Sequence, residues 1–213
     1  MLVSRPTVCV IIMATVNKEW HIIPNAIDKK TCKKIIALGD EGFEPGMVGE
    51  NESGTVRLAK NIRSSDIKFL EQHRWVTQLL VPYLEKANIN AGWLYDIIGV
   101  GSLQLTRYTK GGYYNWHCDG ESDHIAAKRY GPGDDTNKYI RKLSITVLLN
   151  DNYEGGQFQF ASYYNTQCTI STPEFNKRGS IIVFPSFMDH RVTAVTKGIR
   201  YSLVAWFLGP PLR

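Results

Sequence analysis

The sequence lacks the features of membrane-spanning and repetitive proteins. No apolar run approaches the ~18 residues that a transmembrane helix requires, and we find neither an internal repeat nor a low-complexity segment. Charged residues make up only 21% of the 213 residues, and the 25 basic and 20 acidic side chains are interspersed. A net charge of +5 distributed in this way indicates a mixed, solvated surface and argues against nucleic acid as a partner.

Cysteine is also scarce, with four residues that lie far apart and form no C-x-x-C pair. This spacing argues against a disulfide scaffold or a zinc ribbon and predicts free thiols in a cytoplasmic protein. Residues 8–14 form an apolar run with the outline of a short signal peptide, but no A-x-A-like cleavage site follows it. A buried strand and a start codon assigned too early are the alternatives for residues 1–16.

The composition that is present describes one globular domain. Hydrophobic residues account for 43% of the chain and aromatic residues for 11%, and 213 residues are enough to bury a substantial core. The pattern predicts two parts of one domain, a helical support over residues 1–98 and a β core over residues 99–213.

Helical spacing is concentrated before residue 90. Asp28 is a candidate N-cap for a first helix. Ser64 or Ser65 is expected to cap a longer second helix, in which Pro82 predicts a kink or a break.

From about residue 97 the apolar period changes to two, which is typical of strands. Six to eight short strands without intervening helices predict a sandwich, a jelly roll or a barrel. The strands are expected near residues 103–107, 139–149, 157–160, 166–170, 180–184, 190–195 and 200–208. Residues 120–138 are polar and turn-rich, and a loop of this length predicts a functional segment such as a lid.

An H-x-D motif, His117 and Asp119, is the first candidate for chemistry. Residues i and i+2 of a strand point to one face, so an imidazole and a carboxylate can converge there. Two histidines and one carboxylate form the facial triad that binds non-haem Fe(II). The downstream candidates for the third ligand are His124 and His190. His190 is favoured because it opens a predicted strand, whereas His124 lies in the polar segment.

Arg200 and Ser202 follow His190 on the final predicted strand, where they share a face with Val204 and Trp206. A guanidinium can bind a carboxylate through two hydrogen bonds, and a hydroxyl two residues further on can add a third. An iron site beside such an anion clamp suggests an α-keto acid that chelates iron at one end and is anchored at the other.

The order of these motifs resembles the prolyl 4-hydroxylase-like group of Fe(II)- and 2-oxoglutarate-dependent oxygenases. That group has a tyrosine, a glycine-containing turn, a second tyrosine and then H-x-D, as in residues 108–119 here. The likeness extends over about residues 62–209. Its motifs lie in residues 103–119, 141–150, 153–158, 184–186, 190–192 and 195–202.

The resemblance implies a mainly β fold, with a double-stranded β-helix (jelly roll) core supported by two or three N-terminal α-helices. It implies catalytic iron ligands at His117, Asp119 and His190, with the 2-oxoglutarate carboxylate held by Arg200. By the same carry-over Ser202 assists Arg200, and Tyr108 donates a hydrogen bond to 2-oxoglutarate.

The implied activity is that of a dioxygenase that uses O2 to hydroxylate a C–H bond, with succinate and CO2 as co-products. A peptide or protein substrate is favoured, with peptidyl proline as the target, and L-ascorbate is a further cofactor consistent with the family. The alternatives are the same chemistry on a nucleobase, a free amino acid or another small molecule, and a non-catalytic jelly-roll binding module. The sequence does not indicate an oligomeric state.

Two departures from the group concern substrate identity more than cofactor chemistry. Many hydroxylases of collagen-like chains use lysine where this chain has Arg200. Some relatives also have a tyrosine on the strand that residues 147–149 occupy here.

Overall fold

The computed structural model describes residues 18–46, 48–50, 56–57, 61–70, 72–120 and 139–211 of the chain. Our expectations for the apolar run at residues 8–14 and for the segment 121–138, which includes His124, lie outside the described residues. Within the described ranges, no helix is both long enough and apolar enough to cross a membrane.

Two α-helices lie in the N-terminal half. Helix α1 spans Lys29–Ala37 and continues into a 3-10 helix at Leu38–Glu41. The carboxylate of Asp28 accepts hydrogen bonds from the N–H groups of Lys30 and Thr31 at 2.8 and 2.9 Å, so it caps α1 as predicted.

Helix α2 spans Arg74–Asn90, and the prediction that it begins at Ser64 or Ser65 is wrong. The residues after Ser65 are extended because they pair with a neighbouring strand of the main sheet. Of the two alternatives at Pro82, a break is wrong because α2 continues through it, and a kink stays a prediction. Pro82 is exposed, and so is Gln78, whose carbonyl loses its helical donor and can be satisfied by water.

Strands contain more of the described residues than helices do. In order they are β1 His21–Ile23, β2 Glu44–Pro45, β3 Val48–Glu50, β4 Val56–Arg57, β5 Arg63–Ser64, β6 Asp66–Phe69, β7 Gly99–Tyr108, β8 Tyr113–His117, β9 Ile140–Leu148, β10 Tyr153–Gly155, β11 Phe158–Tyr164, β12 Gln167–Ser171, β13 Ile181–Pro185, β14 Asp189–Val192, β15 Val195–Gly198 and β16 Arg200–Gly209.

These strands form two large antiparallel sheets. The seven-stranded sheet has the order β1-β13-β9-β16-β7-β6-β2, and the five-stranded sheet has the order β12-β11-β14-β8-β5. Two small sheets, β10-β15 and β3-β4, complete the described strands. The chain crosses repeatedly between the two large sheets, which is the arrangement of a double-stranded β-helix.

The seven-stranded sheet separates two apolar cores. On one side its strands pack against α1 and α2 in a core that includes Leu203, Ala205 and Phe207 of β16. On the other side, Phe160 and Phe184 belong to a second core between the two large sheets. Because alternate residues of a strand point to opposite faces, β16 contributes to both sides.

The predicted fold class is therefore confirmed, with two α-helices supporting a mainly β core. Strands also lie in the part predicted as a helical support, since β1, β2 and β6 join the large sheet and β5 joins the smaller one. The division into residues 1–98 and 99–213 stays a prediction.

Candidate active site

Two histidine side chains lie beside each other on neighbouring strands. His117 ends β8, His190 lies in β14, and the two residues are direct partners in the antiparallel register. Directly opposite residues point to the same face of a sheet, and the ring centroids are 4.2 Å apart. The ring of Phe184, from the other large sheet, lies 4.8 Å from that of His190. Both imidazoles therefore project into the space between the sheets, which we call the chamber.

Each imidazole is held by the backbone carbonyl two residues before it. Nδ1 of His117 lies 2.8 Å from the Asn115 carbonyl oxygen, and Nδ1 of His190 lies 2.9 Å from that of Met188. A carbonyl can only accept a hydrogen bond, so Nδ1 donates in both rings. With Nδ1 as the donor, Nε2 is the nitrogen whose lone pair each ring can offer to a metal.

Asp119 completes this group. Its Oδ1 lies 3.8 Å from Nε2 of His117, and its Oδ2 lies 3.7 Å from Nε2 of His190. One ligand atom from each of the three residues falls within a span of 4.8 Å. The structure thus brings together the three residues that the sequence predicts as ligands, in a set of two nitrogens and one carboxylate that can hold a single cation.

The electrostatics keep this group ready to bind a cation. Burial, with a further contribution from His190, lowers the pKa of His117 to about 3. Burial alone raises the pKa of Asp119, but His190, His117 and Arg141 together with a hydrogen bond from Ser144 outweigh it and lower this pKa below the usual value. At neutral pH His117 is neutral and Asp119 is ionised.

Aromatic rings surround the histidines. The ring of Tyr114 stacks on His117 with centroids 3.5 Å apart, and Phe158 stacks on His190 at 5.4 Å. Burial raises the pKa of Tyr114 to about 12, so its hydroxyl stays protonated. These contacts fix the orientations of the two imidazole rings.

Arg200 is buried in the same chamber. It is 1% exposed, and its Nη1 donates a hydrogen bond to Oγ of Ser202 at 3.0 Å. Its guanidinium carbon lies 5.4 Å from the centre of the Tyr108 ring, and Tyr108 is its direct partner in β7. Nε of Arg200 has no hydrogen-bond partner, and no carboxylate of the described residues forms an ion pair with it. A buried cation in this state is costly unless an anion binds it.

Gly156 gives Arg200 its room. Its φ of +58° is one that side-chain-bearing residues rarely adopt, and a Cβ there would lie 2.9 Å from Cδ of Arg200. The glycine directly after β10 therefore has a physical reason: the chain must turn closely over the arginine stem.

Two contacts around Asp119 are absent from the sequence-based predictions. Nη1 of Arg141 donates a hydrogen bond to the carbonyl oxygen of Asp119 at 3.0 Å. Ser144 contacts the Asp119 carboxylate and lies 2.9 Å from Ser186, oxygen to oxygen. Both contacts join residues more than 20 positions apart, so no local pattern indicates them.

Comparison with known families defines the class of this chain. Residues 103–208 match the family model described as the 2OG-Fe(II) oxygenase superfamily. The chain belongs to this superfamily.

The relatives with similar sequences are PKHD-type hydroxylases. One from Thermosynechococcus vestitus is 30% identical over 138 residues, which cover 64% of this chain and 55% of the relative. Another, from Shewanella frigidimarina, is 32% identical over 156 residues, or 72% of this chain and 62% of the relative. The chain thus spans little more than half the length of these two curated relatives.

Solved structures share the fold. A Pseudomonas putida prolyl-4-hydroxylase has a TM-score of 0.60 and 19% identity, with 89% of this chain and 91% of that chain covered. A Trichoplax adhaerens prolyl hydroxylase, solved with a hypoxia inducible factor peptide fragment, has a TM-score of 0.64 and 18% identity, with 89% and 83% covered.

The residues of the chamber fit the two cofactors of this superfamily, Fe(II) and 2-oxoglutarate. The two Nε2 atoms and the ionised carboxylate suit a divalent cation. The buried Arg200, with its unpartnered Nε, suits a carboxylate.

Proposed function

We propose that this protein is an Fe(II)- and 2-oxoglutarate-dependent dioxygenase that hydroxylates a C–H bond. One observation carries the proposal: a buried group of two histidines and one aspartate shares its chamber with a buried arginine whose Nε is unpartnered. Family membership supports the same activity.

His117, Asp119 and His190 are the proposed iron ligands. The carbonyls of Asn115 and Met188 hold the Nδ1 protons of the two histidines, so each ring presents Nε2 without a change of tautomer. When bound, Fe(II) with 2-oxoglutarate and O2 supplies the oxidising chemistry, with succinate and CO2 as co-products. Three protein ligands leave positions for these reactants.

Arg200 is the proposed anchor for the far carboxylate of 2-oxoglutarate. Ser202 holds Nη1, which orients the guanidinium before binding. Tyr108, the direct partner of Arg200 across β7 and β16, is the proposed hydrogen-bond donor to the same co-substrate. The surrounding Phe and Tyr rings make this region largely apolar, which strengthens charge interactions in the chamber.

For the substrate we propose a peptidyl proline in a peptide or protein. The apolar, aromatic lining around His117 suits a pyrrolidine ring, and the structurally similar Trichoplax protein is a prolyl hydroxylase solved in complex with a peptide. An L-ascorbate requirement and a cytoplasmic location belong to the same proposal. The four cysteines lie far apart in the sequence and form no C-x-x-C pair, which supports that location.

The metal assignment is tested with His190→Ala. We expect this variant to lose most Fe(II) binding in anaerobic titration, together with the slow formation of succinate from 2-oxoglutarate in the absence of substrate. His21→Ala is the matched control, because His21 lies in β1 near Lys18 and Lys86 and outside the chamber. Equal iron binding and turnover in His190→Ala would overturn the ligand assignment. A wild-type protein that bound neither iron nor 2-oxoglutarate would favour a binding module.

The substrate is tested with proline-containing peptides and, in parallel, with nucleic acid and free amino acids. Mass spectrometry measures the gain of one oxygen atom. We expect oxygen incorporation at proline only, and incorporation confined to another class would exclude the prolyl assignment while leaving the cofactor chemistry intact.

A further inference from the structure

Asp119 differs from the two histidines in the way its main chain is held. His190 and His117 are partners in the ladder between β14 and β8, so both are fixed by the sheet. Strand β8 ends at His117, and Asp119 lies two residues beyond that end. Its carboxylate must nevertheless stay within 3.8 Å of both imidazoles for the group to persist. Something other than the ladder must hold it.

Arg141 makes the contact that can do so. It lies in β9, a strand paired on one side with β13 and on the other with β16. Its guanidinium stacks 4.2 Å over the ring of Trp206, and its Nη1 donates a hydrogen bond to the Asp119 carbonyl oxygen at 3.0 Å. The planar guanidinium is thus fixed by an aromatic face while it holds the backbone.

Two backbone hydrogen bonds also connect the segment after β8 to the seven-stranded sheet. The N–H of Gly120 donates to the Ser186 carbonyl oxygen at 2.7 Å, and Ser186 in turn donates its N–H to the Lys142 carbonyl oxygen at 3.0 Å. The end of β8 is therefore tied to the large sheet on both sides of the Asp119 peptide unit.

We propose that Arg141 is a positioning residue that sets the Asp119 carboxylate for metal binding. The inference rests on the proposed function, since it concerns the same metal site. Arg141 acts through the Asp119 main chain and is not itself a ligand. Residues that orient metal ligands typically contribute about 10- to 100-fold to metal affinity.

The sign of the effect separates positioning from charge. Arg141 is a cation near a site for another cation, so removing its charge alone would strengthen metal binding. A loss of affinity in a neutral variant therefore reports the lost hydrogen bond and stacking, not the lost charge.

The test uses Co(II) as a spectroscopic probe on the full chain, with Arg141→Met and Arg141→Lys. Methionine keeps an apolar stem over Trp206 and removes the donor, whereas lysine retains the charge and one donor group. Arg107→Met is the matched control. Arg107 also stacks on an aromatic ring, that of Phe43 at 4.4 Å, and its Nε donates a hydrogen bond to the carboxylate of Asp66 in β6.

We expect Arg141→Met to bind Co(II) about 10- to 100-fold more weakly, with an altered ligand-field spectrum. Arg141→Lys should recover part of the affinity, and Arg107→Met should match the wild type. Unchanged or tighter binding in Arg141→Met would overturn the inference, as would a lower melting temperature with an unchanged Co(II) spectrum. If Arg141→Met does not fold, Arg141→Lys decides by the same two readouts. The proposed function itself would be refuted if the wild-type protein bound no Co(II), or if His190→Ala left its Co(II) binding unchanged.

Discussion

The two faces of β16 divide the work of the protein. Leu203, Ala205 and Phe207 lie in the core between the large sheet and the helices. Arg200, Ser202 and Trp206 alternate with them and face the chamber. The first face is apolar throughout, whereas the second carries a buried cation, a hydroxyl held by that cation and a buried indole N–H without a partner.

Adjacent residues of this one strand therefore serve different purposes, one stabilising the fold and the next contributing to the site. A side chain of the apolar face contributes through burial and packing. A polar side chain of the chamber face, buried without full hydrogen bonding, costs stability in the ligand-free protein and is useful only when a ligand arrives. Substitutions on the two faces should therefore have opposite consequences.

The largest expected effect is on the apolar face. Leu203 is fully buried, and Leu203→Ala should lower the free energy of unfolding by about 2–5 kcal/mol, through lost burial and the cavity it leaves. Chemical denaturation measures this change. Val204→Ala, at a partly exposed position on the chamber face of the same strand, is the control and should cost less. Equal losses for the two variants would contradict the division of the strand.

The next effect is on the chamber face. Arg200→Met should weaken 2-oxoglutarate binding about 10- to 100-fold, because hydrogen bonds to charged groups contribute roughly 1.5–3 kcal/mol. Its melting temperature without ligand should equal or exceed that of the wild type, since an unpaired buried charge is removed. Calorimetry measures both quantities. Arg178→Met, which breaks an ion pair with Asp151 away from the chamber, should leave 2-oxoglutarate binding unchanged. A marked loss of stability in Arg200→Met would contradict this prediction and show that Arg200 stabilises the ligand-free fold.

The smallest effect is a pH dependence that originates in the chamber. His117 has a pKa of about 3 in the folded protein, whereas an unfolded histidine titrates near ~6.5. Between these values the unfolded chain binds more protons, so stability is complete above ~6.5 and falls on acidification by at most about 1.4 kcal/mol per pH unit. The pKa of Asp119 is lowered, so its contribution is lost only at still lower pH.

Denaturation of metal-free protein at several pH values between 7 and 5 tests this sign. His117→Gln removes the group and should reduce the slope of the profile over this range, with a smaller slope left by His21, whose pKa burial also lowers. A wild-type profile that rises on acidification would show that His117 is not held neutral in the fold.

The sequence predicts which three side chains meet at the site, but it does not predict the contacts that bring the carboxylate to the two imidazoles. The H-x-D motif predicts two residues on one strand face, yet β8 ends at His117 and Asp119 lies beyond it. The carboxylate still meets the imidazoles because Arg141 and Ser144 hold it from β9. Such contacts depend on which strands become neighbours, and no spacing within a segment encodes them.

Residues 66–69 illustrate the same limit for the fold. Ile67 and Leu70 fit a helical spacing with the apolar residues of α2, so the sequence predicts one long helix. In the structure Ile67 pairs with Thr106 and Asp66 pairs with Arg107. Pairing with β7 overrides the local preference, because a short apolar pattern alone cannot distinguish a strand from a helical turn.

The position of β16 at the centre of the large sheet has a consequence for the folding route. Its Leu203 pairs with Leu105 of β7 and with Val147 of β9, at separations of 98 and 56 residues. Neighbours so distant along the chain must be brought together against the entropy of closing long loops, which makes such topologies slow to fold. Helix α1 and the β11-β12 hairpin can form early from local contacts. Arg200 meets Tyr108 only when β16 enters between its two neighbours, so the anion-binding end of the chamber is created in the same step that closes the sheet.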